Sequence, residues 1–445
     1  NREYLYPNGP ASDRSFRIVT NKRKTYVTAG GFNATLSNNY TKPCYYEFSD
    51  FDGWSDICLG SDTARDITNV IVDPANPDHL FAATWGYGLF EFRNNQPVAH
   101  YNSENSPMQS VLEGDYIRLL GMAYDKNNNL WLTSSGVENN ILVKKNDGEW
   151  KSFKYGRLTG NSNITQLLIT SRGDKWAVLP RGGGLLAFNN NETIDNESDD
   201  KKKVFSITDG EGVTITNQVY CLAEDRDGNI WVGTDDGPVV YYNPQSVFDG
   251  GIFEASKILV PKNDTSIYGE YLLKNQVVSA IKVDGANRKW IGTQGVGLFL
   301  MSPDGKKELA RFTTDNSPLI SNNILDISID DQSGEVFIAT DKGVVSYRGT
   351  ATQGNEEFTN VYVFPNPVRE NYEGDITITG LISDANVKIT DISGNLVYET
   401  TSLGGQAIWN GRNFNGKRVK TGVYLVFCSN DDGTKTFVTK LLFIN

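Results

Sequence analysis

The chain has 445 residues, including 43 glycines, 21 tyrosines and 21 phenylalanines, and its 54 acidic against 42 basic side chains give a formal net charge of −12. That balance argues against nucleic acid as the main partner, because phosphate contacts need clustered Lys and Arg. No run approaches the roughly eighteen consecutive apolar residues of a membrane-spanning helix, and a chain of this length suggests two or three domains.

The opening residues, NREYLYPNGP, contain no methionine and no signal peptide, which predicts a processed or truncated start. From residue 20 onward one unit recurs. Its clearest copy is DRDGNIWVGTDDG at 225–237. Others stand at 20–31, 73–88, 125–136, 171–183, 284–297 and 331–343. Each has a polar turn, an aromatic flanked by apolar residues, a small or hydroxyl residue, and then glycine. The aromatics are Tyr26, Phe81, Trp131, Trp176, Trp231, Trp290 and Phe337, roughly 45–60 residues apart, a period that signals a β-propeller.

The flanks of each turn complete one blade. Apolar runs such as ITNVIVD (67–73), QVYCLAED (218–225) and VVSAIKVD (277–284) come before the turn. Third strands such as GLLAF (184–188) and PVVYY (238–242) follow the glycine, and EWKSFKY (149–155) reads as a fourth. Four antiparallel strands per repeat predict an all-β chain whose residues 1–349 form a seven-bladed propeller. The repeated aromatics then fill the wedge between neighbouring sheets. The last repeat, 324–347, shows only three strands, so residues 2–6 are expected to supply its fourth and close the ring.

Candidate chemistry is sparse. The turn with Asp225, Asp227 and Asn229 is also the first half of a calcium loop, but other copies carry Lys, Asn, Ser or Ala at the further ligand positions. The turn reading is preferred, and no metal is expected. His79 and His100, a hairpin-turn and an outer-strand residue of one predicted blade, are the only histidines, which disfavours a Ser-His-Asp or zinc site. A pair of carboxylates distant in sequence stays open as a glycosidase-like site. RGGGLL (181–186) lacks the helix and the Lys-Ser/Thr of a phosphate loop. No cofactor is expected, and the chain is read as no enzyme. Cys44 and Cys58 lie in one predicted blade and could pair, and Cys221 reads as a buried thiol. Arg118, Arg181 and Arg288 stand near strand ends or turns, where they could meet an anionic sugar or phosphate. Each also reads as an ordinary surface arginine.

Beyond residue 349 the pattern changes. Residues 350–360 are polar and read as a linker. Residues 361–445 alternate strictly, with frequent turn signals, and predict a small immunoglobulin-like β-sandwich. Here FPNP (364–367) is followed by DITITGL (375–381), VKITDISGNLVYET (387–400), WNGRNFNGKRVKTGVYLV (409–426) and KLLFIN (440–445). These motifs, over about 85 residues, closely resemble the C-terminal sorting domain of the type IX secretion system of Bacteroidetes. The repeats around NIWVGTDDG resemble two-component regulator propeller repeats. Together with the opening YPNGPASDRSFRI, the two halves resemble the C-terminal portion of the PorZ family, whose members carry two propellers before the sorting-like domain.

The resemblance implies a non-catalytic cell-surface component of the type IX attachment complex, located outside the outer membrane. Its implied partners are a sortase-like protease, an outer-membrane protein and possible anionic lipopolysaccharide or glycan. It further implies a recognition surface around Gly416, Lys417, Gly422, Tyr424 and Lys440, where the glycines could equally shape turns and Tyr424 pack the sandwich. Two alternatives are a secreted glycan-binding cargo with a cleavable sorting domain and the periplasmic sensor part of a hybrid two-component regulator.

Overall fold

The computed structural model describes residues 9–60, 64–155, 163–261 and 269–444. Helix among them is confined to short turns at Glu197–Asp199 and Ser246–Asp249. Two compact units share the chain: Asn1–Lys282 with Lys289–Ser328 and Phe337–Ser346, and Val283–Arg288 with Ile329–Val336 and Tyr347–Asn445.

The first unit is built from antiparallel sheets that follow one another along the chain. A representative one joins Ile67–Asp73, Asn76–Thr84, Leu89–Arg93 and Gln96–Tyr101 in that order. Five more sheets with four strands in the same order begin at Arg17, Leu119, Leu167, Val219 and Val278. A seventh, from Ile324, has three strands among the described residues. Residues 2–6, expected to complete it, lie outside the described residues.

The repeated sequence unit is explained by its hydrogen bonds. The Asp225 carboxylate accepts from the backbone N–H groups of Asp227 (3.0 Å) and Asn229 (2.9 Å), and from the Trp231 indole Nε1 (2.9 Å). Asp125 accepts in the same way from Asn127, Asn129 and Trp131. One aspartate thus closes the turn and fixes the ring that follows. Gly228 takes φ +80°, and Asn128 takes φ +62° at the same turn position, a conformation that glycine and asparagine tolerate best. After the second strand, Thr234 Oγ1 donates to the Gly237 carbonyl (2.6 Å) and accepts from the Asp236 N–H (3.0 Å). Thr84, Thr293 and Thr340 tie their own turns in the same manner.

All seven repeated aromatics are buried. Several face the next sheet: Trp131 lies 5.9 Å from Phe188, Trp176 5.5 Å from Tyr241, and Phe337 6.1 Å from Phe48 of the first sheet. The residue just before the aromatic covers the ring of the preceding sheet. Leu130 clusters with Phe81, and Ile230 with Trp176. Two lysines do the same with their ammonium groups: Lys175 Nζ is 4.6 Å from the Trp131 ring centre and Lys289 Nζ is 4.9 Å from that of Trp231, a favourable cation–ring geometry. Lys289 also pairs with Asp225 at 3.1 Å. Lys175 donates to Asn190 Oδ1 (2.7 Å) and the Gly173 carbonyl (3.0 Å), and burial pushes its ammonium down to about 8 against the pull of Asp125 and Asp174.

Side chains stitch neighbouring sheets to one another near the inner strands. Thr28 donates to the Thr68 carbonyl, Thr68 to that of Leu119, Thr133 to that of Thr165, Gln166 to that of Leu222 and Ser279 to that of Ile324. The last and first sheets meet directly. Ser15 Oγ donates to the Thr340 carbonyl (2.6 Å), and the backbone N–H groups of Ile18 and Thr20 donate to Asp326 (3.1 Å) and Ser328 (2.9 Å). This closes the succession of sheets within the first unit.

Cys44 and Cys58, directly opposite in the first sheet, form a disulfide across a separation of 14 residues. Crosslinking a loop of this length restricts the unfolded chain. Cys58→Ser is expected to lower stability by about 2–3 kcal/mol. Denaturant unfolding of wild type and variant, with and without reductant, checks this. A wild-type curve that reductant leaves unmoved would exclude a stabilising role.

In the second unit, a three-stranded sheet (Tyr362–Phe364, Ile376–Thr379, Gln406–Trp409) and a four-stranded sheet (Leu396–Thr401, Asn386–Asp391, Gly422–Ser429, Thr436–Phe443) form a β-sandwich. Val387, Ile389, Trp409, Tyr424, Val426, Leu441 and Phe443 fill its core. The stretch 350–360 is hydrogen-bonded within this unit: Gln353 N–H donates to the Asp331 carbonyl (2.8 Å) and Asn355 N–H to that of Leu381 (3.0 Å).

Candidate functional site

The structure does not bring the three candidate arginines together. Arg118 and Arg181 belong to adjoining sheets of the first unit, one just before an inner strand and the other in a turn between second and third strands. In an antiparallel sheet those positions share one strand end. Arg288 precedes its second strand, at the other strand end of its own sheet, and falls in the second unit. It is buried, its Nε donating to Asp284 (2.7 Å) and its guanidinium to Thr350 Oγ1 (3.0 Å). Arg181 is exposed at φ +58°.

Arg118 has the most unusual surroundings of the three. Its guanidinium lies 5.0 Å from the Tyr116 ring centre and 5.6 Å from that of Trp85. Its Nε is buried without an acceptor among the described residues. The loop between the second and third strands of the first sheet reaches this spot. The Phe32 ring lies tilted 4.1 Å from that of Trp85, and the Leu36 carbonyl accepts from the Trp85 indole (2.9 Å). Buried Asp66 anchors the loop, accepting from Thr41 Oγ1 (2.7 Å), Tyr40 N–H (2.8 Å) and Asn38 Nδ2 (3.0 Å). An aromatic-backed arginine beside a long loop can meet a sugar face and its charge together.

The histidines are occupied otherwise. His79 lies within a second strand rather than in the turn, with Nδ1 2.9 Å from Asp73 and Nε2 3.0 Å from Glu91. His100 Nε2 is 2.7 Å from the Tyr87 carbonyl.

A channel of about 190 Å³ runs among the inner strands, and each of the seven sheets contributes to its wall. Sequence periodicity marks those strands as apolar and gives no sign of the charged residues in the wall: Arg17, Lys282 and Asp326.

On the sandwich, Gly416 takes φ +72° in an exposed turn, with Lys417 N–H bonded to Asn413 Oδ1 (3.1 Å). Gly422 opens a strand instead of a turn. Tyr424 points into the core, its hydroxyl donating to the Lys420 carbonyl (2.8 Å), while Lys440 is exposed. These residues therefore do not share one face. The outward side of the last two strands carries Val423 paired with Leu442 and Phe427 paired with Val438, all four exposed. The signal for them was the run GVYLVF, apolar on both faces of a strand that alternation predicts to be half polar.

Residues 362–444 match the family described as the secretion system C-terminal sorting domain, and residues 215–236 match the two component regulator propeller. The whole chain aligns with the structure of PorZ, described as an essential bacterial surface component of the type IX secretion system of Porphyromonas gingivalis, at 31% identity and a TM-score of 0.75. Over its full length the chain is similar to PorZ. That alignment covers 100% of this chain and 61% of PorZ, so the chain spans about three-fifths of that protein's length. The fold also resembles the extracellular domain of a protein assigned as a one-component system in B. thetaiotaomicron, at 14% identity, 97% of this chain, 57% of that one and a TM-score of 0.52. Streptogramin B lyase matches at 12% identity, 77% of this chain, 96% of that one and a TM-score of 0.53. At such identities both show the propeller fold alone. None of the curated protein sequences matches. The sorting-domain match and the likeness to PorZ associate the chain with type IX secretion.

Proposed function

We propose that this chain acts as a non-catalytic cell-surface component of the type IX attachment complex. Its propeller binds anionic lipopolysaccharide or partner proteins through the strand end that carries Arg118 and Arg181. Its sandwich is the part that the secretion apparatus recognises, around Lys417, Lys440 and the outward apolar pairs. The observation that carries this reading is the alignment of the entire chain with one surface component of that system, sorting domain included.

Deleting residues 435–445 tests it. The cut removes Leu441 and Phe443 from the sandwich core. Among the described residues, the apolar clusters around the repeated aromatics contain no residue of the sandwich, so the propeller is expected to stay folded. The truncated protein should accumulate in the periplasm, while the full chain becomes accessible to protease added to intact cells. A truncated protein that is folded and still reaches the surface would show that the terminal strand is no export signal, and the sandwich would then be an internal docking domain.

A further inference from the structure

The channel wall is unevenly charged. Arg17 stands 3.6 Å from Asp326. The oxygens of Asp326 already accept from the backbone N–H groups of Ile18 (3.1 Å) and Ile327 (3.0 Å). The amides in the wall are likewise engaged: Asn69 bridges the Leu120 carbonyl and the Val70 N–H, and Gln166 bridges the carbonyl and N–H of Leu222. Lys282 lines the same channel and has no ion pair or hydrogen-bond acceptor among the described residues. The wall therefore carries two cations against one carboxylate, and that carboxylate is shared with Arg17.

The two cations act on a common interior. Burial pushes the Cys221 thiol, also in the wall, up to about 12, and Arg17 and Lys282 both pull against that rise. A half-buried ammonium without a counter-charge is unfavourable, and a concave, low-dielectric wall with an excess of one sign concentrates the opposite ion. The channel's volume of about 190 Å³ far exceeds the ~10–15 Å³ that one water needs. A compact ion fits with part of its hydration.

We propose that the channel binds an oxyanion, a phosphate or carboxylate group, held by Lys282 with Arg17. Phosphate or carboxylate offers several acceptor oxygens to an ammonium and a guanidinium at once. The group arrives either as a free ion or as the end of a larger ligand entering from the channel mouth. This site is separate from the strand-end arginines and does not depend on the type IX reading.

Calorimetric titration of the full chain with inorganic phosphate, acetate and glycerol 3-phosphate, at ionic strength fixed with chloride, tests the proposal. Phosphate should bind, and Lys282→Met should weaken it at least tenfold. Asp326→Asn should strengthen it several-fold, because it releases Arg17 from its carboxylate while the amide oxygen still accepts from Ile18. If Lys282→Met fails to give a wild-type unfolding curve, Lys282→Gln takes its place. Glycerol 3-phosphate binding as well as phosphate assigns the group to a larger ligand, and its exclusion assigns a free ion. Either result upholds the oxyanion chemistry. Absence of phosphate binding, unchanged affinity in the Lys282 variants, or weaker binding in Asp326→Asn overturns it.

Discussion

Replacing Asp225 with alanine is expected to destabilise the propeller by about 3–5 kcal/mol, the cost of leaving a buried ion without its partner. Lys289 is fully buried and sits 3.1 Å from this carboxylate. The same substitution also removes the acceptor for the Trp231 indole and for two turn N–H groups. Combining it with Lys289→Met should recover a large part of the loss. A methionine stem can cover Trp231 as Ile230 covers Trp176 in the preceding interface. A double-mutant cycle by denaturant unfolding measures the coupling, and a single-variant cost below about 1 kcal/mol would show that the aspartate is no hub. Acid should act in the same direction. Burial alone raises the Asp225 carboxyl, but the hydrogen bond from Trp231, the charge of Lys289 and the bonds from Asn229 outweigh it and leave it below the usual range. Its contribution is therefore present above the unfolded-state value of about 3.9 and fades as pH falls through the lower folded value. The acid limb of the stability profile should be steeper in wild type than in Asp225→Ala.

Trp231→Ala is expected to cost a comparable amount, about 3–5 kcal/mol, as for other large buried aromatics. The ring is 1% exposed. Lys289 and the hairpin at Gly305, both of the next sheet, cover it, and an added Cβ at Gly305 would come within 2.7 Å of the indole. Such close packing leaves little room for the site to collapse and refill the cavity. Chemical denaturation gives the number directly. A change below about 1 kcal/mol would mean that the ring is not part of the inter-sheet core and would reopen a ligand role for it.

Much of this fold was legible in the sequence because its determinants are local. The aspartate at the end of an inner strand bonds to groups two, four and six residues onward, so the copies built on it carry the same spacing, and the repeat is visible as text. The threonine that ties the next turn works over three or four residues and leaves the same trace. The sandwich announced itself through motifs in register, from FPNP to KLLFIN. Even the pairing of Cys44 with Cys58 was within reach, because both stand in one blade.

Other properties have no local signature. Arg288 reads in sequence like any turn arginine, yet Asp284 and Thr350 engage it, and Thr350 comes from far along the chain. Arg118 has Tyr116 two residues away in the chain, but gains the backing of Trp85 only once adjoining sheets pack. The channel charges come from three different inner strands, holding Arg17, Lys282 and Asp326. By itself the sequence determined the repeat, the aspartate hub of the copies that carry one, and the class of the terminal domain, since each rests on hydrogen bonds and alternation within a few residues. Tertiary structure alone decided which charges are neutralised and which face a shared cavity. Electrostatic pairing acts through space between strands that ring closure brings together, and no spacing along the chain records that distance.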